Sequence, residues 1–357
     1  MLEIQHKKLI IMYKGRDIDI NTSMLQALKK MDDINKKLLL VFKKRKFVSL
    51  LSIGDIQRAI IKGIDLDTNI ESILRDNIRL AKESDSLDDI KAKMLKWRSE
   101  CMPVINEQEE LVKVYFWEDL FGHETKRIIS SLDLPVVIMA GGMGTRLKPI
   151  TNVLPKPLIP IGEKTIVEEI MDRFINVGCN EFLFSVNYKA DMIKYYFDTT
   201  KNYNISYFQE EKPLGTVGSL FLMKEKIHST FFVSNCDIII DADYSEILKY
   251  HRDNNNELTI VSALKHYSIP YGIINTNKMG VLSNLKEKPE LTFQINSGMY
   301  VLEQHLIKEI PDNSFFHITE LIEKIQHRNG KVGVFPISEK SWKDIGTWSE
   351  YISQITM

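Results

Sequence analysis

The run MAGGMGTRLKPITNVLPKPLIPIG, residues 139–162, constrains this chain more than any other segment. It continues PVVIMA (135–140), an apolar run of the length and character of a buried strand. Gly141, Gly142 and Gly144 then let backbone N–H groups approach anionic oxygens with no Cβ in the way. Pro149, Pro155, Pro157 and Pro160 exclude a regular helix for about twenty residues beyond the glycines. A Rossmann loop needs G-x-G-x-x-G with a helix opening on it, and Leu147 stands where its third glycine would be. A Walker loop, G-x-x-x-x-G-K-[ST], is absent. What remains is a phosphate cradle at a strand end, followed by a proline-framed lariat. Arg146 adds a planar fork suited to a diphosphate. Lys156 adds a point charge able to follow a moving phosphoryl group.

Strands and helices alternate after this point. TIVEEIMDRFINVG (165–178) reads as a helix with a glycine stop, EFLFSV (181–186) as a strand and ADMIKYYFD as a helix. ISYFQE, TFFVSNCD (230–237) and KVGVFPI read as strands, and VGSLFLMKEKI, YSEILKYHRDN and HITELIEKIQHRNG as helices, with His317 a helix-start residue. This rhythm predicts an α/β fold: a Rossmann-like, doubly wound parallel sheet. Beyond residue 257, YGIINT, GVLSNLKEK and FQINSGMYVL predict a strand-rich lid over a substrate site.

The first 123 residues carry a different pattern, separated by a linker at 124–134. Residues 20–63 read as a helix over 24–31, strands LLLVF and FVSLL joined by a basic turn at 43–46, and a helix over 56–61. Residues 83–121 repeat helix, MPVI strand, acidic turn, LVKVYF strand and short helix. A period of roughly 60 residues predicts a duplicated α/β unit stacked on itself.

Charge balance narrows the partners. Lys and Arg total 47 against 48 Asp and Glu, which gives no case for nucleic acid or an anionic membrane. Cys101, Cys179 and Cys236 lie far apart, with no C-x-x-C and no Cys/His cluster. That argues against structural zinc and a disulfide framework, and for a reducing cytoplasm. The start, MLEIQHKKLIIMY, is too short and too charged for a signal peptide, and no apolar stretch reaches the ~18 residues of a membrane span.

AGGMGTRLKPITNVLPKPLIPIG resembles the signature of the sugar-1-phosphate nucleotidyltransferases, and the likeness extends over about residues 134–355, within a transferase domain expected at 135–357. EEKPLGTVGSL (210–220) is similar to that family's nucleobase segment. SNCD ends at Asp237, where the family places a metal aspartate, and WKDIGTW supplies a second at Asp344. YGII, KEKP and NSG match its sugar-binding segments. The resemblance implies that Ala140, Gly141, Gly142, Gly144 and Thr145 cradle an NTP, and that Glu210, Pro213, Gly215 and Thr216 frame its base. It implies Mg²⁺ held by Asp237 and Asp344, Arg146 on the β and γ phosphates, and Lys156 on the α-phosphate and the incoming sugar phosphate. Lys288 would hold the sugar phosphate and Glu287 the sugar hydroxyls, with Gly272, Asn296 and Gly298 completing the pocket. There is one departure. Thymidylyltransferase-type members carry an arginine just before the [IL]-T-[DE] helix, and this chain has Asp312, Asn313 and Ser314 there. Acidic Glu210 is similar to the guanylyl branch, which points to GTP.

The N-terminal duplication resembles a pair of CBS domains. Its first copy carries SIGD, where Ser52 would meet a nucleotide phosphate and Asp55 the ribose hydroxyls. Its second copy, FWED, keeps Asp119 but has Phe116 in place of the hydroxyl. This resemblance implies an adenine or guanine nucleotide as regulator, or dimerisation alone, and a homo-oligomer. A CBS pair ahead of such a transferase resembles a subgroup found with bacterial nonulosonic acid pathways. Its members look like glucosamine-1-phosphate guanylyltransferases on the route to legionaminic acid. A mannose- or other hexose-1-phosphate guanylyl- or thymidylyltransferase and a non-catalytic nucleotide sensor are the alternatives.

Overall fold

The computed structural model describes Tyr13 and residues 15–97, 99–121, 131–200 and 203–355. The chain forms two compact units, Met1–Ile128 and Ile129–Met357. The first twelve residues and residues 122–130, which include most of the linker expected at 124–134, lie outside the described residues. Residues 131–134, also assigned to that linker, pack against the second unit: the Leu132 N–H donates to the Val177 carbonyl (2.9 Å) and Leu134 is buried.

The first unit uses one topology twice. β1 (Asp17–Asp19) pairs parallel with β2 (Leu38–Lys43), which pairs antiparallel with β3 (Lys46–Ser52). β4 (Ala81–Lys82), β5 (Cys101–Ile105) and β6 (Leu111–Phe116) repeat that order and those senses. Helices Met24–Asp33 and Leu87–Trp97 fill the two crossovers, and Ile53–Ile61 and Trp117–Phe121 follow the two hairpins. The first helix begins at Ser23, whose side chain forms a capping box with Gln26. It buries Met24, Ala27, Leu28 and Met31, a stripe at i, i+3, i+4 and i+7. At the basic turn, Lys44 and Arg45 both take positive φ (49° and 70°), as a two-residue hairpin loop of type I′ requires. Leu38 and Leu40 of the first copy share a core with Cys101, Val114 and Phe116 of the second. The second copy also has a core of its own, built by Ala81, Ile90, Met94, Met102 and Val104.

The second unit opens on β7 (Val136–Ala140), followed by the short pair β8 (Pro160–Ile161) and β9 (Lys164–Thr165). β10 (Glu181–Val186), β11 (Asn204–Gln209), β12 (Phe231–Asn235) and β13 (Ile238–Ile240) come next. β14 (Leu258–Ser268), β15 (Ile273–Thr276), β16 (Leu282–Lys286), β17 (Glu290–Leu302), β18 (Val332–Ile337) and β19 (Trp342–Asp344) complete it. The main sheet has the order β11-β10-β7-β12-β17-β14-β18. It is mixed rather than wholly parallel, because β17 runs antiparallel to both β12 and β14. No crossover helix separates β14 from β17; the chain returns through the β15–β16 hairpin, which reverses its direction.

Two expectations need correction. FQINSGMYVL is not a separate lid strand. Its second half, 297–302, is buried in the main sheet, and only its first half extends outward, paired with the outer part of β14. The exposed β15–β16 pair is the one hairpin standing apart there. VGSLFLMKEKI forms a 3₁₀ turn, Gly218–Met223, rather than an α-helix. The Val217 and Gly218 N–H groups both donate to the Phe316 carbonyl (3.2 Å each), which ties the start of this segment to the chain at Phe316.

The strand order fixes where a ligand can bind. From β7 the chain runs outward through β10 and β11, then returns to β12 on the other flank of β7. A crevice opens at such a switch point, beyond the carboxyl ends of the two diverging strands. The glycine loop leaves β7 there, and Cys236 and Asp237 leave β12 beside it. Among the described residues, no helix is long and apolar enough to cross a membrane.

Candidate active site

Close packing shapes the loop after β7. Gly144 has φ +63°, and a Cβ there would meet Thr151 Cγ2 at 2.8 Å and Lys156 Cβ at 3.2 Å. A Cβ on Gly141 would lie 2.8 Å from Glu210 Oε1, while Gly142 faces open space. The prolines act as expected: the segment holds only 3₁₀ turns at Thr145–Leu147 and Lys156–Leu158 and one α-turn at Ile150–Val153. With so little internal helix, its carbonyls are held from outside. Lys189 Nζ donates to Asn152 O (2.6 Å) and Val153 O (2.7 Å), Tyr188 Oη to Thr151 O (3.2 Å), and Trp348 Nε1 to Lys148 O (2.6 Å). Sequence reading missed these braces, since NYKAD carries no recognisable motif.

The lariat delivers Lys156 to Asp237. The two side chains form a buried ion pair between the ammonium and Oδ2. Asp344 reaches the same place through the β13–β19 ladder, in which Ile238 faces Asp344 and the Ile345 N–H donates to the Asp237 carbonyl (2.8 Å). Trp342 anchors that ladder by donating Nε1–H to the Ser297 carbonyl (3.1 Å). Gly346 marks the convergence. A Cβ on it would lie 2.7 Å from Asp344 Oδ1, 2.9 Å from Arg146 Nη2 and 2.9 Å from Asp237 Oδ2. Three charged groups from distant parts of the chain therefore meet around one bare α-carbon. Burial, reinforced by the negative charge of Asp344, pushes the Glu350 carboxyl above its ordinary range. Such a concentration of carboxylates favours a cation. Among the described residues no cluster of three or more His, Cys, Asp or Glu side chains could hold a metal ion. Asp237 and Asp344 offer carboxylate oxygens to a hard divalent cation, whose remaining shell phosphate oxygens and water would fill.

A cavity of about 340 Å³ lies beside this cluster. Gly141, Gly142, Gly144, Arg146, Lys156 and Asp237 line it together with Glu210, Pro213, Leu214, Gly215, Thr216 and Phe315. Ala140, Thr145 and Asp344 do not line it. Glu210, 7% exposed, braces its own loop: Ser185 Oγ donates to Oε1 and the Leu214 N–H to Oε2 (3.0 Å). Gly215 takes φ +81°, and a Cβ there would strike the Phe316 carbonyl at 2.6 Å. Thr216 Oγ1 accepts from the Ile318 N–H (2.8 Å).

The sequence profile of the nucleotidyl transferase family matches residues 135–356, the strand, the glycine loop and both aspartates included. The chain belongs to the nucleotidyl transferase family. It is similar to a Yarrowia lipolytica protein named mannose-1-phosphate guanyltransferase, with 31% identity over 230 residues covering 61% of this chain and 62% of that one. A probable mannose-1-phosphate guanylyltransferase 1 of Oryza sativa subsp. japonica is 27% identical over 234 residues, covering 63% and 64% respectively. The chain spans less than two thirds of the length of either relative. Among solved structures, HddC from Yersinia pseudotuberculosis aligns with a TM-score of 0.50 and 27% identity, over 62% of this chain and 98% of that one.

Outside the cavity of this nucleotidyl transferase lie the residues expected to hold the sugar phosphate. Gly272 and Glu287 meet at the mouth of the β15–β16 hairpin, where a Cβ on Gly272 would approach Glu287 Oε2 at 2.9 Å. Exposed Lys288 takes the left-handed conformation, φ +41°. Asn296 donates Nδ2–H to Tyr300 Oη (2.7 Å) and accepts from the Gly298 N–H (3.1 Å). Gly298, φ +86°, would drive a Cβ to 2.6 Å from Asn235 Nδ2, and Asn235 does line the cavity. Asn296 and Gly298 thus border the site through Asn235, while Gly272, Glu287 and Lys288 stand on the hairpin.

In the first unit of the transferase, Ser52 and Asp55 are engaged with each other. They form the capping box of helix Ile53–Ile61, and Ser52 Oγ donates to Asp55 Oδ2 (2.6 Å). Arg75 donates to both, Nε to Asp55 Oδ1 (2.7 Å) and Nη2 to Ser52 Oγ (2.8 Å), and Arg58 pairs with Asp55 as well. Burial alone would push the Asp55 carboxyl up, but the Arg75 and Ser52 hydrogen bonds outweigh it and hold it below the usual range. In the second copy, Asp119 accepts from the Phe116 N–H (3.4 Å). The Arg16 guanidinium lies 3.9 Å over the Phe116 ring and donates to Glu118 Oε1 (2.9 Å), which fills the space beside that ring.

Proposed function

We propose that this chain transfers a nucleotidyl group, GMP from GTP, to a sugar 1-phosphate, releasing pyrophosphate and a GDP-sugar. The meeting of Arg146, Asp237 and Asp344 around Gly346, beside a glycine cradle and Lys156, carries this reading. The nucleophile is a phosphate oxygen of the sugar phosphate, already largely dianionic at pH 7 because its second pKa is near ~6. It needs no general base. A new bond forms from that oxygen to the α-phosphorus as the bond to the bridging αβ oxygen breaks, and the electron pair leaves with pyrophosphate. The obstacle is repulsion between polyanions, so positioning and charge neutralisation supply the catalysis. Arg146 binds the departing β and γ phosphates. Lys156 exchanges Asp237 for the α-phosphate and the incoming phosphate. Mg²⁺ held by Asp237 and Asp344 would draw negative charge from the reacting phosphate oxygens.

The sugar is read as glucosamine 1-phosphate, for a GDP-amino sugar of a nonulosonic acid and surface-glycan route to legionaminic acid. Mannose 1-phosphate is the second reading, favoured by the names of the relatives from Yarrowia lipolytica and Oryza sativa subsp. japonica. The duplicated first unit is read as a CBS pair whose Ser52–Asp55 corner takes an adenine or guanine nucleotide and which joins copies of the chain. The common strand order of its halves supports that reading. Three free, buried cysteines support a cytoplasmic setting. Pyrophosphate release from GTP, UTP, dTTP and CTP with Mg²⁺, against a panel of sugar 1-phosphates, tests the whole reading. Fastest release is expected with GTP. No release from any pair overturns nucleotidyl transfer, and best turnover with dTTP overturns the guanylyl assignment.

A further inference from the structure

Given the nucleotidyl-transfer reading above, we infer that Phe315 stacks on the nucleobase and gives the site its preference for purine nucleotides. Phe315 lines the cavity and is 58% exposed, although it is a large apolar side chain beside a buried neighbour, Phe316. Its backbone is fixed. The Phe316 N–H donates to the Leu214 carbonyl (2.9 Å), the Phe316 carbonyl accepts from Val217 and Gly218, and the Ile318 N–H donates to Thr216 Oγ1 (2.8 Å). Segments 214–218 and 314–318 thus form one rigid platform. The Phe315 ring meets the His317 ring edge-on, with centroids 4.7 Å apart and planes at 83°, which orients it.

The polar groups near this ring are largely committed elsewhere. Both Glu210 oxygens accept from the protein, and Thr216 Oγ1 accepts from the Ile318 N–H. Phe315, Pro213, Leu214 and Gly215 therefore offer a flat heterocycle an apolar surface more than a set of free donors and acceptors. The same cavity is lined by Arg146 and Lys156, which in the nucleotidyl-transfer reading hold the phosphates. That reading places the base against Phe315. Aromatic stacking scales with overlap, so a two-ring purine gains more than a pyrimidine.

Calorimetric binding of a non-hydrolysable GTP analogue and of its UTP counterpart, together with steady-state kinetics, tests this on the full chain. Phe315→Ala is expected to weaken the GTP analogue by roughly tenfold or more, to raise the KM for GTP with kcat nearly unchanged, and to bring GTP and UTP towards parity. Phe315→Trp should restore the purine preference, which a purely structural role would not do. Three results overturn the inference: unchanged GTP-analogue affinity in a folded Phe315→Ala, equal loss for both analogues, or a KM change confined to the sugar 1-phosphate. Calorimetry keeps the outcomes separate. Absence of turnover in the wild type sinks the catalytic reading, while the analogue affinities still decide the role of Phe315.

Discussion

The Lys156 ammonium rests on Oδ2 of Asp237, a residue 81 positions further along the chain. One partner comes from the phosphate loop, the other from the end of β12, so the electrostatic halves of the site neutralise each other across the cavity. Both roles assigned to these residues require that pair to open when polyphosphate enters.

Asp237→Asn keeps the side-chain shape and removes the charge. Turnover should fall by at least about 100-fold, a loss typical of removing one group that stabilises transition-state charge. Urea unfolding should show a loss of about 3 kcal/mol, because a buried ammonium is left unpaired. Adding Lys156→Met should restore most of the stability and none of the activity. A wild-type kcat in Asp237→Asn would remove this residue from the chemistry.

Gly346→Ala places a methyl group where Asp344, Arg146 and Asp237 converge, with contacts of 2.7 to 2.9 Å. At least one of the three must shift. A displacement of that kind costs roughly 100-fold in rate when the groups act by position. The expected result is a collapsed kcat with a circular dichroism spectrum and melting curve close to wild type. Full activity would mean that the three side chains need not sit as observed.

Acid should weaken one brace of the second unit in a defined window. Foremost the Arg328 guanidinium, helped by His305 and the Lys331 N–H, holds the Glu257 carboxyl at about 2, against an ordinary 4.5. A carboxyl depressed in the folded state stabilises it above the unfolded value, and that contribution fades as pH falls through the folded one. Glu257→Gln should therefore lower the urea midpoint at pH 7, and the gap from wild type should narrow as pH drops from 4.5 towards 2. A gap that stays constant over that range would rule out the ionised carboxylate as its source.

Much of the site was legible because its chemistry demands rare residues in a fixed order. A strand, three glycines, Arg146 and a proline-framed Lys156 leave few structural alternatives, and Asp237 and Asp344 follow at strand ends. The direction of β17 was not legible, since alternation of apolar residues is the same in parallel and antiparallel strands. Phe315 beside Phe316 reads as core until the backbone shows one ring turned in and the other out. Glu210 reads as a free acceptor for a base, and only the fold shows both oxygens tied to its own loop. Nothing in the local sequence marks Gly346, because the three groups crowding it include two from remote parts of the chain, Arg146 and Asp237.

The β13–β19 ladder has a consequence for how this site comes into being. Asp344 reaches Asp237 only when a strand beginning at Trp342 docks against Ile240, a residue from much earlier in the chain. Such a distant contact forms late, and a two-stranded ladder opens at low cost. A newly made chain can thus possess its cradle and its cavity before it owns a complete catalytic centre. In gentle denaturation, activity should vanish while the central sheet still stands, which makes turnover a sensor of the last step of maturation.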